Sequence, residues 1–240
     1  MPRFVLFLVV LLAAFPAAAE IKCTEGMEII EREAQSRMSA QDFIKEVATN
    51  EEVFAKASAN YGYRLEVSVQ TLLGDTVDGE YRRSSTVDFD DKGQRRETVT
   101  EGPVNTLTRL RITDRELDKL REAFVLTAPK VSDNDIVYGG RQQVGDINAA
   151  VFDIMPRNQS ADIRGFEGRV WVQGRDNAII HVCGRTSASP IAPMRFDVTR
   201  AAVEDKYWFP VLIRADEDAR ISGDTVHVRL TARYSDYKAR

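Results

Sequence analysis

The sequence predicts an α+β protein: an unclosed antiparallel half-barrel of about eleven strands, with N-terminal and inserted helices covering its mouth. Three observations predict it. Between residues 24 and 60 apolar side chains recur at three and four, the spacing of a helix face. From Tyr63 onward the period falls to two, the mark of a sheet with one face buried. Short turn sequences join the alternating segments into consecutive hairpins, and a meander that wide accumulates twist until it curls.

The chain divides into residues 1–19, 20–60 and 61–240. Met1-Pro2-Arg3 carries one positive charge, Phe4 to Ala14 is unbroken apolar sequence, and Phe15-Pro16 precedes Ala17-Ala18-Ala19. That is the pattern of a secretory signal peptide, and the 16 residues Phe4–Ala19 fall short of the roughly 20 that a spanning helix needs. Cleavage near Ala19 leaves an exported chain, periplasmic or secreted, and soluble, since Glu20-Ile21-Lys22 before Cys23 is a poor fit to a lipid-acceptor site. In an oxidising compartment the two cysteines, Cys23 and Cys183, can persist as one disulfide; two unpaired thiols are the alternative.

Residues 20–60 are read as a helical segment packing on the barrel. Met27, Ile30, Ala34 and Met38 form one apolar stripe. Ser39 caps a second helix, with Asp42 three positions on, and Phe43, Ile44 and Val47 are its buried face. Asn50 before Glu51-Glu52 reads as a further helix start, its carboxylates placed where the helix dipole favours them, after which Val53, Phe54, Ala57 and Tyr61 face inward.

The strands follow in order. Leu65, Val67, Val69 and Thr71 alternate with polar residues, and Tyr81, Val87 and Phe89 continue the pattern up to the turn Asp90-Asp91-Lys92-Gly93. Gln94–Glu101 is the next strand, ended by Gly102-Pro103, and Thr106–Ile112 another. A short helix near 114–124 interrupts the sheet, capped by Thr113 or Asp114. Strands resume at Ile136–Gln143, Ile147–Met155, Gly165–Val172, Ala178–Thr186, Arg195–Val203, Tyr207–Arg214 and Thr225–Tyr234. In Tyr207–Ile213 both alternating faces are apolar, which asks for cover on both sides.

Composition excludes several classes. With 33 Lys+Arg against 37 Asp+Glu and a formal charge of −4, the chain lacks the basic surface a phosphate backbone needs, so no nucleic-acid partner is expected. The only histidines are His181 and His227, and no G-x-S-x-G or Gly-rich phosphate loop occurs. No catalytic residue, metal or cofactor is therefore assigned, and the chain is read as no enzyme. A polar cluster converging on either histidine would reopen that reading.

Several stretches resemble the periplasmic outer-membrane lipoprotein carrier family (LolA/LolB-like), most of all its uncharacterised exported relatives. They are Tyr61–Leu73, Glu80–Glu101 with its acidic-Lys-Gly hairpin, Phe166-Glu167-Gly168-Arg169-Val170-Trp171-Val172, Lys206-Tyr207-Trp208-Phe209-Pro210 and Arg233-Tyr234-Ser235-Asp236-Tyr237. The resemblance implies an apolar cavity that receives acyl chains, lined by Phe43, Val53, Phe54, Val69, Val87, Phe89, Trp171, Trp208 and Leu212. It implies as partners a lipid or an acylated lipoprotein, with transient membrane contact at most. The alternative is an envelope interaction or sensor module of the same fold, binding a protein partner. A long helical leader and a charged mid-chain insertion depart from the carrier pattern.

Overall fold

A computed structural model of the chain describes residues 23, 29–31, 39–113, 131–157, 166–186, 195–221 and 223–240. Its elements are β1 (Ile29–Glu31), α1 (Ala40–Ser58), β2 (Tyr61–Leu73), β3 (Thr76–Phe89), β4 (Arg95–Asn105), β5 (Asn134–Val144), β6 (Ile147–Pro156), β7 (Phe166–Gln173), β8 (Ala178–Thr186), β9 (Arg195–Val203), β10 (Tyr207–Ile221) and β11 (Asp224–Ala239). The strands form one eleven-stranded antiparallel sheet in the order β1-β5-β6-β7-β8-β9-β10-β11-β2-β3-β4. Among the described residues β1 and β4 are the two edges, so the sheet does not close and the predicted half-barrel is what forms. Bulges in several pairs, among them β2–β3, β3–β4, β5–β6 and β9–β10, sharpen its twist.

One face, the inner, carries α1 and the larger core. Tyr63, Leu65, Val67 and Val69 of β2 meet Val228, Leu230, Ala232 and Tyr234 of β11 there, all buried. The residues between them, Arg64, Glu66, Arg229 and Arg233, take the outer face, as alternation demands. The strands β6 to β8 break this alternation. Ala149-Ala150-Val151-Phe152, Val170-Trp171-Val172 and Ile179-Ile180 are continuous apolar runs that feed both the inner core and a second cluster on the outer face. Gly168 and Gly184 face each other across β7–β8, and a Cβ on either would lie within 2.6 Å of the other strand's backbone.

Four expectations are corrected. Ile29–Glu31 is not helical; it pairs antiparallel with Gln142 and Arg141 of β5, the open edge supplying hydrogen-bond partners that a helix there would leave unused. α1 runs unbroken through Asn50, whose side chain donates to the Asp176 carbonyl at 2.9 Å instead of capping a new helix. β4 passes through Gly102-Pro103 to Asn105, which an edge strand tolerates because its outer N–H groups have no neighbour to serve. Thr106–Ile112 is not a strand: Thr106 bonds back to Glu80, Arg109 donates to the Leu72 carbonyl, and Leu107, Leu110 and Ile112 pack on the inner core. The signal-peptide segment 1–19, the Met27, Ala34 and Met38 positions, and the helix near 114–124 lie outside the described residues.

Candidate functional site

The inner face is an apolar wall, and α1 lies against it over β5, β8 and β10. Ser39 sets the start of α1, its Oγ accepting from Asp42 N at 3.1 Å. Ile44, Val47 and Ala48 point at the sheet and are fully buried. Glu51 continues the same stripe. Its carboxylate takes both ends of the Arg200 guanidinium, at 2.6 and 2.8 Å, and both side chains are at most 5% exposed. The sequence reads Glu51 as a carboxylate at a helix start; its spacing of three, four and seven from Ala48, Val47 and Ile44 is the signal that puts it on the buried stripe. Arg200 likewise alternates with Phe196 and Val198, which are buried against the inner core. A bidentate pair in an apolar joint fixes the helix to one place, since any other registry leaves two charges unpaired.

A second polar group interrupts the same wall near the β4 edge. Ser85 donates to Glu97 Oε1 at 2.7 Å, and Arg83 reaches the same oxygen at 2.7 Å while Arg95 takes the other. Burial works against the Glu97 charge, but the serine bond and the two guanidiniums outweigh it and hold the carboxyl below its ordinary range.

The nine residues expected to line one cavity do not share one surface. Val69 and Val87 are fully buried in the inner core, and Phe43 and Phe89 pack against it, Phe43 stacked on Phe152 with centroids 5.3 Å apart. Phe54 sits with Tyr61, Tyr207 and Phe209 in a separate aromatic cluster at the end of α1. Val53 is 51% exposed, because the unbroken helix turns it away from the sheet. Trp171 and Trp208 belong to the outer cluster, and Leu212, in register with Arg233 and Thr199, also faces outward. Among the depressions lined by described residues are one of about 470 Å³ beside Gly62, Asp236 and Lys238 and one of about 360 Å³ beside Glu66, Arg82 and Glu101. Of the nine, Val87 alone borders either.

Both histidines have acidic neighbours. His181 is 5% exposed, under the Trp171 edge, with Nε2 2.9 Å from Asp197. Burial works against the Asp197 charge, but His181 and Arg214 outweigh it and keep the carboxyl ionised below its usual range. His227 has Nδ1 2.8 Å from Asp218 and Nε2 2.7 Å from Asp216, so both ring positions are spoken for. Among the described residues no three His, Cys, Asp or Glu side chains are grouped to hold a metal, and no helix is long and apolar enough to cross a membrane. Cys23 and Cys183 are bonded, Cα to Cα 5.3 Å.

No family model matches the chain, and no curated protein does. Solved structures do resemble it. A DUF1329 family protein from Desulfovibrio piger is 10% identical, covering 84% of this chain and 94% of its own, at a TM-score of 0.44. A LolA superfamily protein from Nitrosomonas europaea is 12% identical over 81% of this chain and 94% of its own, at 0.36. The MucA/MucB complex of Pseudomonas aeruginosa supplies another likeness, 10% identical over 82% and 94%, at 0.26. What the chain does has to be argued from its own residues.

Proposed function

We propose that the chain is an exported binding protein that holds an apolar chain, a lipid acyl group or the acyl group of a lipoprotein, between the inner face of the open sheet and its cover. The observation that carries this reading is the joint between α1 and the sheet: an apolar wall under a helix whose buried stripe includes the Glu51–Arg200 ion pair. Hydrophobic transfer holds the guest, at roughly 0.8 kcal/mol per buried methylene. When the cover lifts, Glu51 and Arg200 are hydrated, so release exposes two ions together with the apolar helix face. Phe43, Val69, Val87 and Phe89 are the inner-face residues assigned to the guest. The disulfide fits a chain that folds in an oxidising compartment, here the periplasm.

A second reading has its own support. Val69, Val87, Ile44 and Val47 are at 0% exposure, as in an interior already filled by side chains. Such a half-barrel would present its surface to an envelope protein and carry no guest. Native mass spectrometry of residues 20–240, exported and purified without detergent, separates the two. A lipid or acylated peptide near one per chain is the expected result. A bare chain mass that persists after incubation with lipid vesicles overturns the carrier reading in favour of the partner-binding module.

A further inference from the structure

The outer face over β11, β2 and β3 is polar, and most of its arginines are matched. Arg64 lies 2.9 Å from Glu66, Arg82 3.3 Å from Glu80 and Arg229 3.0 Å from Asp216. Arg233 is exposed and, among the described residues, has no carboxylate of its own, although Glu66 stands opposite it in register. Arg64 has taken that carboxylate. One guanidinium is therefore left over in the middle of a hydrogen-bonded sheet, where its backbone is held on both sides.

Short side chains surround it. In cross-strand register Arg214, Thr231, Ser68 and Arg82 form one row, and Arg233, Glu66 and Ser84 the next. Opposed residues on one face stand about 5 Å apart at Cβ, so the row sets two hydroxyls side by side between guanidiniums. Neither Ser68 nor Thr231 spends its hydroxyl on another described residue, whereas Ser84 donates to Glu101 at 3.4 Å. Long charged chains standing around these short ones leave the depression of about 360 Å³. Its donors suit a phosphoryl group: Arg233 offers a planar fork, two hydroxyls lie beside it, and Arg82 is 61% exposed and only loosely held by Glu80. Glu66 and Glu101 also border the depression. Carboxylates there repel a bare anion and accept from a hydroxyl or an ammonium group, so the set selects an ester over inorganic phosphate.

We propose that this depression binds the phosphate ester of a small polar alcohol, of the glycerol phosphate type, either free or as the head group of a phospholipid. The phosphoryl oxygens accept from Arg233, Arg82 and the hydroxyls of Ser68 and Thr231, and a hydroxyl or ammonium of the alcohol donates to Glu101. Binding is non-covalent throughout. The site lies on the face opposite the apolar wall, so it does not depend on what the inner face binds.

Amide chemical shifts of residues 20–240 are followed during titration with glycerol 3-phosphate, with inorganic phosphate and with glycerol. The expected result is saturable shifts around Ser68, Arg82 and Thr231 for the ester, weaker binding for inorganic phosphate and none for glycerol. Arg233→Met should weaken the ester about tenfold, the loss of one charge-assisted hydrogen bond. Ser68→Val fills the depression without touching a charge and should weaken it as well, which keeps the test open should the first variant not fold. Arg175→Met, in the exposed β7–β8 turn, should leave binding unchanged. Cosedimentation with phosphatidylcholine vesicles is then compared with and without phosphatidylglycerol. Binding to the phosphatidylglycerol vesicles that Arg233→Met abolishes supports the site with a lipid head group in it; no such binding beside a positive titration supports it with the free ester. Neither titration nor cosedimentation, an affinity unchanged in both Arg233→Met and Ser68→Val, or an equal loss in Arg175→Met would each overturn the proposal.

Discussion

On the outer face of the sheet the patch of β6–β8 around Trp171 is dry, whereas β11, β2 and β3 are wet. Under Cys23, the dry part buries Ala149, Val151, Trp171 and Ile180. The wet part carries Arg64–Glu66, Arg82–Glu80 and Arg229–Asp216 in contact with solvent. Both belong to one hydrogen-bonded sheet with the same apolar inner face. The difference shows that backbone pairing does not decide whether a strand needs cover; its second set of side chains does. Where those are apolar the chain has to bring something over them, and it brings a covalent bond.

The sharpest way to break that contrast is to remove one large residue from each part. Trp171→Ala should cost about 3–5 kcal/mol in urea unfolding, because the indole is fully enclosed and its Nε1 donates to Gln142 at 2.8 Å. Arg64→Ala should stay within about 0.5 kcal/mol, as exposed ion pairs do. Equal losses would mean that the two parts are not different in kind.

Across the sheet, Glu51→Gln should destabilise by about 3–5 kcal/mol, since it strands the buried Arg200 guanidinium. Replacing both partners, Glu51→Leu with Arg200→Met, should recover most of that loss in the same unfolding experiment. A double variant no better than the single would show that the pair is not acting as a unit.

The smallest effect tests the wet part by pH. Burial disfavours the His227 charge, yet its bonds to Asp218 and Asp216 outweigh this and raise the imidazole above its ordinary value of 6.5. Protonated, the ring donates to both carboxylates. The stability it contributes is therefore complete below the unfolded value and is lost as pH rises through the higher folded one. Melting temperatures from pH 5 to 9 should fall more for wild type than for His227→Gln over that window; parallel curves would remove His227 from the account.

Much of this was legible in the chain. Tyr63 to Thr71 and Val226 to Tyr234 alternate so cleanly that their faces follow from period alone, and Ser39 caps α1 where its hydroxyl and Asp42 say it should. The site was less legible. Trp171 and Leu212 read as lining because an apolar side chain names no face, and the bulges that reset parity in β7–β8 and β9–β10 leave no local mark. Glu51 was hidden by the assumption that Asn50 began a helix.

By itself, then, the sequence determined most of the strands from Tyr63 onward, their period and the hairpin order, because these depend on neighbours within a few positions. Only the tertiary structure decided that Arg200, 149 positions away, would meet Glu51, that Ile29–Glu31 would take an open edge, and that Cys23 would lie over the outer tryptophan cluster. Each of those is settled by which partner is left unsatisfied once the sheet has formed, and that is a property of the assembled surface.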